Sequence, residues 1–197
     1  MIESILDEGI VCHTAYISED GFPVVIPMLY VRDGSRLLLH GSNSMGIAHA
    51  VRHGSPLCVA VTHIDGLVVA RSAFESSANY RSVVVHGTGR LISDRNEKRQ
   101  ALDLITDRLL PGRLADVRPS TDSEVGQAAV IELRLDEVSA KVRTGGPIDQ
   151  PEDLASPVWA GVIPLRLVAE PPIPADDLAP GIEIPAYVSE FVSKRSQ

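Results

Sequence analysis

The run from Ile10 to Gly41, IVCHTAYIS-EDG-FPVVIPMLYV-RDG-SRLLLHG, constrains the fold more than any other feature of this chain. Three stretches rich in Val, Ile, Leu and Tyr are parted by two Asp-Gly turns. Asp-Gly supplies the positive φ angles that tight hairpins need, so the run predicts a three-stranded antiparallel meander. The same punctuation recurs downstream. PLCVAVTHI, the turn Asp65-Gly66 and LVVARS predict a further hairpin. NYRSVVVHGTGRLI predicts a long strand whose two glycines suggest a bulge. GQAAVIELRLDEVSAKVRTGG returns to strand, for about seven strands in all.

Helical periodicity is confined to three places. Ile2, Ile5 and Leu6 have helical spacing, with Gly9 placed to end a short helix. Ser42 or Ser44 is placed to cap a helix over 45–53, which Gly54 ends. DRNEKRQALDLITDRLL is the strongest: Asp94 is its cap, and Ala101, Leu102, Ile105 and Leu109 share one face. With no repeating βαβ unit, the pattern is mainly β with flanking helices, a closed antiparallel barrel rather than a doubly wound sheet. Nine of the 14 prolines lie beyond residue 146. The chain therefore divides into a domain over 1–145 and a Pro-rich arm over 146–197, packed on that domain or on a partner subunit.

Composition excludes several functions. A net charge of −8 argues against nucleic acid or a membrane surface as partner. Cys12 and Cys58 sit in apolar runs and form no CxxC, so they read as buried free thiols in a reducing compartment. No segment approaches the roughly 18 apolar residues of a membrane helix. MIESILDEG lacks the basic start and apolar core of a signal peptide, which points to the cytoplasm. His49 and His53 have metal-ligand spacing but no third ligand nearby, so no metal site is expected. GTGRLI at 87–92 lacks the third glycine of a dinucleotide fingerprint and opens no helix. With no GxSxG elbow, P-loop or paired carboxylates, the sequence names no catalytic residue.

Residues 70–87, ARSAFESSANYRSVVVHG, carry more chemistry. Strand alternation puts Leu67, Val69 and Arg71 on one face, and Arg81, Val83 and Val85 on one face with Tyr80, Ser82, Val84 and His86 opposite. A guanidinium on an apolar face needs a partner, either a carboxylate such as Glu75 or a ligand phosphate. HGSNS at 40–44 adds hydroxyls and helix-start N–H groups, a second anion-friendly feature. His13, His40, His63 and His86 all fall in strands, open to core, ligand-facing or axial haem roles.

In order along the chain, DEGIVCHTAYISEDGFPVVIPMLY, LLLHGSNS, VTHIDGLVVARSAFESSANYRSVVVHG, PGR, SAKVRTGGPIDQPEDL and PVWAGVIPL cover most of residues 5–190. Together they resemble the pyridoxamine 5′-phosphate oxidase-like superfamily of FMN-binding split barrels, in its flavin-nucleotide-binding and nitroimidazole-resistance branch. The resemblance implies an antiparallel split β-barrel that forms a homodimer, with FMN in clefts between subunits. It implies an FMN-dependent oxidoreductase acting on a small molecule. The backbone at Ile26, Pro27 and Met28 would line the flavin ring, and His40, Gly41, Ser42 and Ser44 would meet the phosphate side. Arg71, Ser72, Asn79, Tyr80 and Arg81 join them from the signature block. Departures are equally informative. SNSMG has no basic residue where the oxidases proper have a Ser-Arg-Lys cluster. Their C-terminal Arg-His motif is absent from PLRLVAEPPIPADD, so pyridoxamine phosphate oxidation itself is not expected. Glu75 stands where many relatives have histidine. A non-enzymatic flavin binder, a haem-binding split barrel and a barrel without cofactor are the alternatives.

Overall fold

Both Asp-Gly turns form as the sequence demands, with Gly21 at φ 80° and Gly34 at φ 58°. They join β1 (Val11–Ile17), β2 (Pro23–Asp33) and β3 (Arg36–Ser42) into the expected meander. The computed structural model describes residues 1–196. Its other strands are β4 (Pro56–Val69), β5 (Ser77–Thr88), β6 (Arg90–Leu91), β7 (Ala128–Arg134), β8 (Glu137–Arg143) and β9 (Gly161–Pro164). The helices are α1 (Ile2–Glu8), α2 (Gly46–Arg52), α3 (Arg95–Leu109), α4 (Asp122–Gln127) and α5 (Ala186–Arg195). All strand pairings are antiparallel, in the order β6-β7-β3-β2-β1-β4-β5-β8, with β9 added beside β4.

The sheet curls until β5 comes against β7. Glycine permits that approach: a Cβ on Gly89 would lie 2.8 Å from Leu57 Cδ1 and 2.9 Å from Ile131 Cγ2. Inside the curl, Cys12, Tyr30, Leu37, Leu39, Val59, Val61, Val83, Val85, Ile131 and Leu133 pack with Ile5 and Leu6 of α1 and Ile47 of α2. A second core lies on the outer side of β2, β3 and β7, where Val31, Leu38 and Val130 meet Ala101 and Ile105 of α3. Covered on both faces, β3 reads as the continuous run Leu37-Leu38-Leu39, all three fully buried. The architecture is a curled half-barrel with few flanking helices, the split barrel that the family resemblance implied rather than the closed barrel expected from the strand pattern alone.

Four local expectations change. Asp65-Gly66 is not a hairpin; β4 runs through it for 14 residues, with a register shift between Ile64 and Gly66. Gly66 serves a close approach instead, because a Cβ there would stand 2.9 Å from the Ile163 carbonyl oxygen of β9. The chain reverses later, over 70–76, where Ser72 Oγ accepts from Glu75 N and Ser76 Oγ accepts from Ala70 N. Gly9 has φ −70° and is no left-handed cap; its missing side chain leaves room for Tyr30, whose hydroxyl donates to Leu6 O at 2.6 Å. Neither Ser42 nor Ser44 caps α2, which starts after Met45 without a side-chain cap. The stretch after Gly126 makes two strands, turning at Leu135-Asp136, so among the described residues nine strands replace the seven expected. α3 is as predicted, with Asp94 Oδ1 accepting from Glu97 N at 2.8 Å.

The arm contributes β9 to the edge of β4 and the terminal helix α5, which buries no residue. Tyr187 of α5 reaches back to accept from Arg113 Nη1 at 2.9 Å and to pack on Gly112. Large apolar side chains along the arm stay exposed, among them Trp159, Leu167, Ile173 and Ile184. Among the described residues no helix is long and apolar enough to cross a membrane.

Candidate functional site

Between the outer face of β2–β3 and helices α3–α4 lies a cavity of ≈ 290 Å³, lined by Leu29, His40, Leu102, Ile105, Leu109 and Ala128 among others. Alternation along β3 creates it. Leu37 and Leu39 point into the curl, so Leu38 and His40 face α3, and His40 pairs with Leu29 in register. Burial alone lowers the His40 pKa, favouring neutral imidazole. The result is a neutral nitrogen donor in a largely apolar recess.

Beside the recess the chain leaves β3 through Ser42, Asn43 and Ser44. The two serine hydroxyls hydrogen-bond each other at 2.9 Å. Asn43 is fixed by two bonds to the α4–β7 junction: its backbone N donates to Gln127 O at 3.0 Å and its Nδ2 to Gly126 O at 2.5 Å. Arg52 Nη2 lies 3.4 Å from Asn43 Oδ1, and Lys98 Nζ donates to Ala128 O at 3.1 Å. Ala128 stands opposite Ser42 in the β3–β7 register. Gly41 is packed under Met45, whose Sδ a Cβ would meet at 2.7 Å. Of the β2 trio, Met28 is buried and Ile26 packs against the inner core, while Pro27 is exposed outside, opposite His13.

The signature block is placed elsewhere. Three strands, β2, β1 and β4, separate β3 from β5. Arg71, Ser72, Asn79, Tyr80 and Arg81 gather at the hairpin end of β4–β5, while the 42–44 turn and α2 lead to its other end, where Pro56 pairs with Thr88. One copy of the chain does not bring the two groups together.

Both arginines of the block already have carboxylates. Arg71 Nη1 and its backbone N donate to Asp149 at 2.6 Å each, and the Asp149 side chain is only 3% exposed. Its carboxyl is lowered chiefly by the Arg71 backbone N–H. Arg71 Nε is buried and has no hydrogen-bond partner among the described residues. Arg81 forks between two acids, with bonds of 2.8 and 2.7 Å to Asp65 and 2.5 and 2.9 Å to Glu8. That contact raises the Arg81 pKa and holds Glu8 and Asp65 below the usual carboxylate range. Glu75 takes neither role; it accepts from Gln150 Nε2 at 2.7 Å. Asn79, 8% exposed, donates to Gly145 O and accepts from Arg143 Nη1. The block thus ties the β4–β5 hairpin to the strand-end loop and the start of the arm. Tyr80 faces the other way, its ring 5.8 Å from the Lys141 ammonium.

The remaining candidates have local explanations. His49 and His53 stack at 4.1 Å, with His49 on Glu19 and His53 Nδ1 2.9 Å from His49 O. His63 Nε2 sits 3.0 Å from Ile5 O. Burial pushes the Cys12 thiol up to about 11, which leaves it unreactive at neutral pH. Sequence reasoning missed Asp149, Glu8, Lys98 and Arg52. Asp149, Glu8 and Lys98 meet their partners across gaps that only the folded chain closes, whereas Arg52 meets Asn43 locally, at the end of the helix that follows the turn.

The family model described as pyridoxamine 5′-phosphate oxidase matches residues 1–142. Among solved structures, the flavocytochrome Anf3 from Azotobacter vinelandii is 38% identical, with a TM-score of 0.90 over 96% of this chain and 87% of that one. The FAD and heme binding protein from Mycobacterium smegmatis is 39% identical, with a TM-score of 0.91 over 96% of this chain and 93% of that one. A candidate 5-nitroimidazole antibiotic resistance protein from Bacteroides thetaiotaomicron shares the fold at 24% identity and a TM-score of 0.58, over 71% of this chain and 80% of that one. A search of curated proteins found no match. The match over residues 1–142 and the curled antiparallel half-barrel together place this chain in the pyridoxamine 5′-phosphate oxidase family of split-barrel proteins.

Proposed function

We propose that this protein binds a flavin nucleotide between two copies of itself and serves as a flavin-dependent oxidoreductase for a small molecule. One observation carries the reading: likeness over 96% of the chain to a flavocytochrome and to an FAD and heme binding protein. FMN is the form the family resemblance implies, and FAD is the form named for the mycobacterial relative.

The residues fit such a group. The recess offers apolar walls, Pro27 presents an exposed strand edge, and the Ser42 and Ser44 hydroxyls stand beside them. A bound flavin would supply electron transfer in one- or two-electron steps. This chain's own part would be to hold the group, shield it from water on the recess side and set the charge around it. A homodimer follows in this reading because the 40–44 group and the 71–81 group can border one ligand only across two copies. The exposed apolar residues Val11, Val25 and Ile64 of the outer face, with those of the arm, are suited to such an interface. Within the reading, the setting is the cytoplasm, where Cys12 and Cys58 stay reduced.

A second reading adds haem. Its support is His40, a neutral imidazole in a largely apolar recess, together with the haem of the flavocytochrome and mycobacterial relatives. Purified protein tests both readings by its absorption spectrum, before and after incubation with FMN, FAD and haem. Flavin bands retained through gel filtration are expected, and a shifted Soret band accompanies them if haem binds too. Protein that stays colourless after every incubation contradicts both readings.

A further inference from the structure

Among the described residues, two cations without a carboxylate partner bond to the junction of the 42–44 turn and β7: Lys98 to Ala128 and Arg52 to Asn43. In the barrel Arg32, Arg36, Arg71, Arg81 and Arg90 each form an ion pair with an acidic side chain. Among the described residues Lys98 and Arg52 do not, nor do Lys141 and Arg143 of β8, although the protein carries a net charge of −8. Among the described residues Lys98 Nζ is hydrogen-bonded only to Ala128 O at 3.1 Å, and Arg52 only to Asn43 Oδ1 at 3.4 Å. Those contacts lie on the two sides of one short span, since Ser42 is opposite Ala128 and Asn43 is bonded to Gly126 and Gln127. The same turn carries the Ser42 and Ser44 hydroxyls, 2.9 Å apart, with Ser42 opposite Ala128 and Ser44 next to Asn43.

We propose that Lys98 and Arg52, with Ser42 and Ser44, form the corner that binds the phosphate of the flavin nucleotide. The proposal rests on the flavin reading above. It answers the missing basic residue in SNSMG: α3 and the end of α2 supply charge that the turn lacks. The chemistry suits a phosphate ester. Its oxygens accept from several donors at once, and lysine offers a point charge where arginine offers a fork. The nearby acids are already matched. Glu124, which lines the adjoining recess, is bound by Arg118 at 2.5 Å with its pKa lowered to about 2, and Glu97 is bound by Arg90 at 2.7 Å. Asn43 holds the turn in place through its bonds to the α4–β7 junction, so little ordering remains when an anion arrives.

The test compares FMN with riboflavin, which has the same ring and no phosphate. Binding of each to wild type, Arg52→Ala, Lys98→Ala and the double variant is followed by flavin fluorescence, with circular dichroism as the folding control. FMN affinity should fall about tenfold in each single variant and further in the double, the loss expected for a charge-assisted contact, while riboflavin affinity holds within about twofold. The Arg52 side chain is exposed, so Arg52→Ala remains decisive even if Lys98→Ala disturbs packing. A double variant with wild-type FMN affinity overturns the proposal. So does wild type that binds FMN no tighter than riboflavin, and that result leaves the flavin reading intact. Wild type that binds no flavin overturns the reading itself, and the phosphate corner with it.

Discussion

At the scale of single residues, Arg81 shows how this chain satisfies charge on an otherwise apolar strand face. Its neighbours on that face, Val83 and Val85, are fully buried, and its guanidinium is carried out of the core to Glu8 and Asp65. Replacing it by alanine leaves two carboxylates side by side, at a cost of about 1–2 kcal/mol, limited by the partial exposure of all three groups. The pH dependence has a definite sign. Glu8 and Asp65 have carboxyls lowered in the folded protein, so their stabilisation is full above the unfolded-state pKa and vanishes as pH falls through the folded values. Urea melts of wild type and Arg81→Ala should therefore differ most at neutral pH and converge below about pH 4. A stability difference independent of pH would show that the ion pairs do little. None of these partners was legible in the sequence. Alternation along the strand showed that Arg71 and Arg81 needed partners, but Asp149 and Glu8 lie 78 and 73 residues away.

At the scale of elements, the legible parts were those with local signals. The meander followed from two Asp-Gly turns, and α3 from Asp94 and its apolar stripe. β4 was misread because Asp65-Gly66 has the same letters as a hairpin turn but a different neighbour: β9 lies against it, and glycine is needed for clearance. That difference is testable. A methyl group on Gly66 would press on the Ile163 carbonyl at 2.9 Å, so Gly66→Ala should loosen β9 while leaving β1–β5 paired. Hydrogen exchange should speed up at those amides of residues 161–164 and 66–68 that bond across the β4–β9 pair, with core amides such as Val59 and Val83 still protected. Uniformly faster exchange through the barrel would mean that β9 is integral to the fold rather than an addition to its edge.

At the scale of the whole molecule, the strand and turn pattern pointed to an antiparallel barrel and the family resemblance to a split one, and family membership follows from the match over residues 1–142. The candidate site was only half legible. The sequence picked out the 40–44 turn and the 71–81 block, but the fold sets them on opposite sides of three strands. In the proposed function, a second copy unites them around the flavin. Sedimentation velocity, followed at a protein wavelength and in the visible flavin band, tests that claim most directly. With stoichiometric FMN or FAD added, all protein should move with the mass of two chains, and the flavin absorbance should move with it. Protein that sediments as one chain, or flavin left behind at the meniscus, would show that no second copy completes a flavin site.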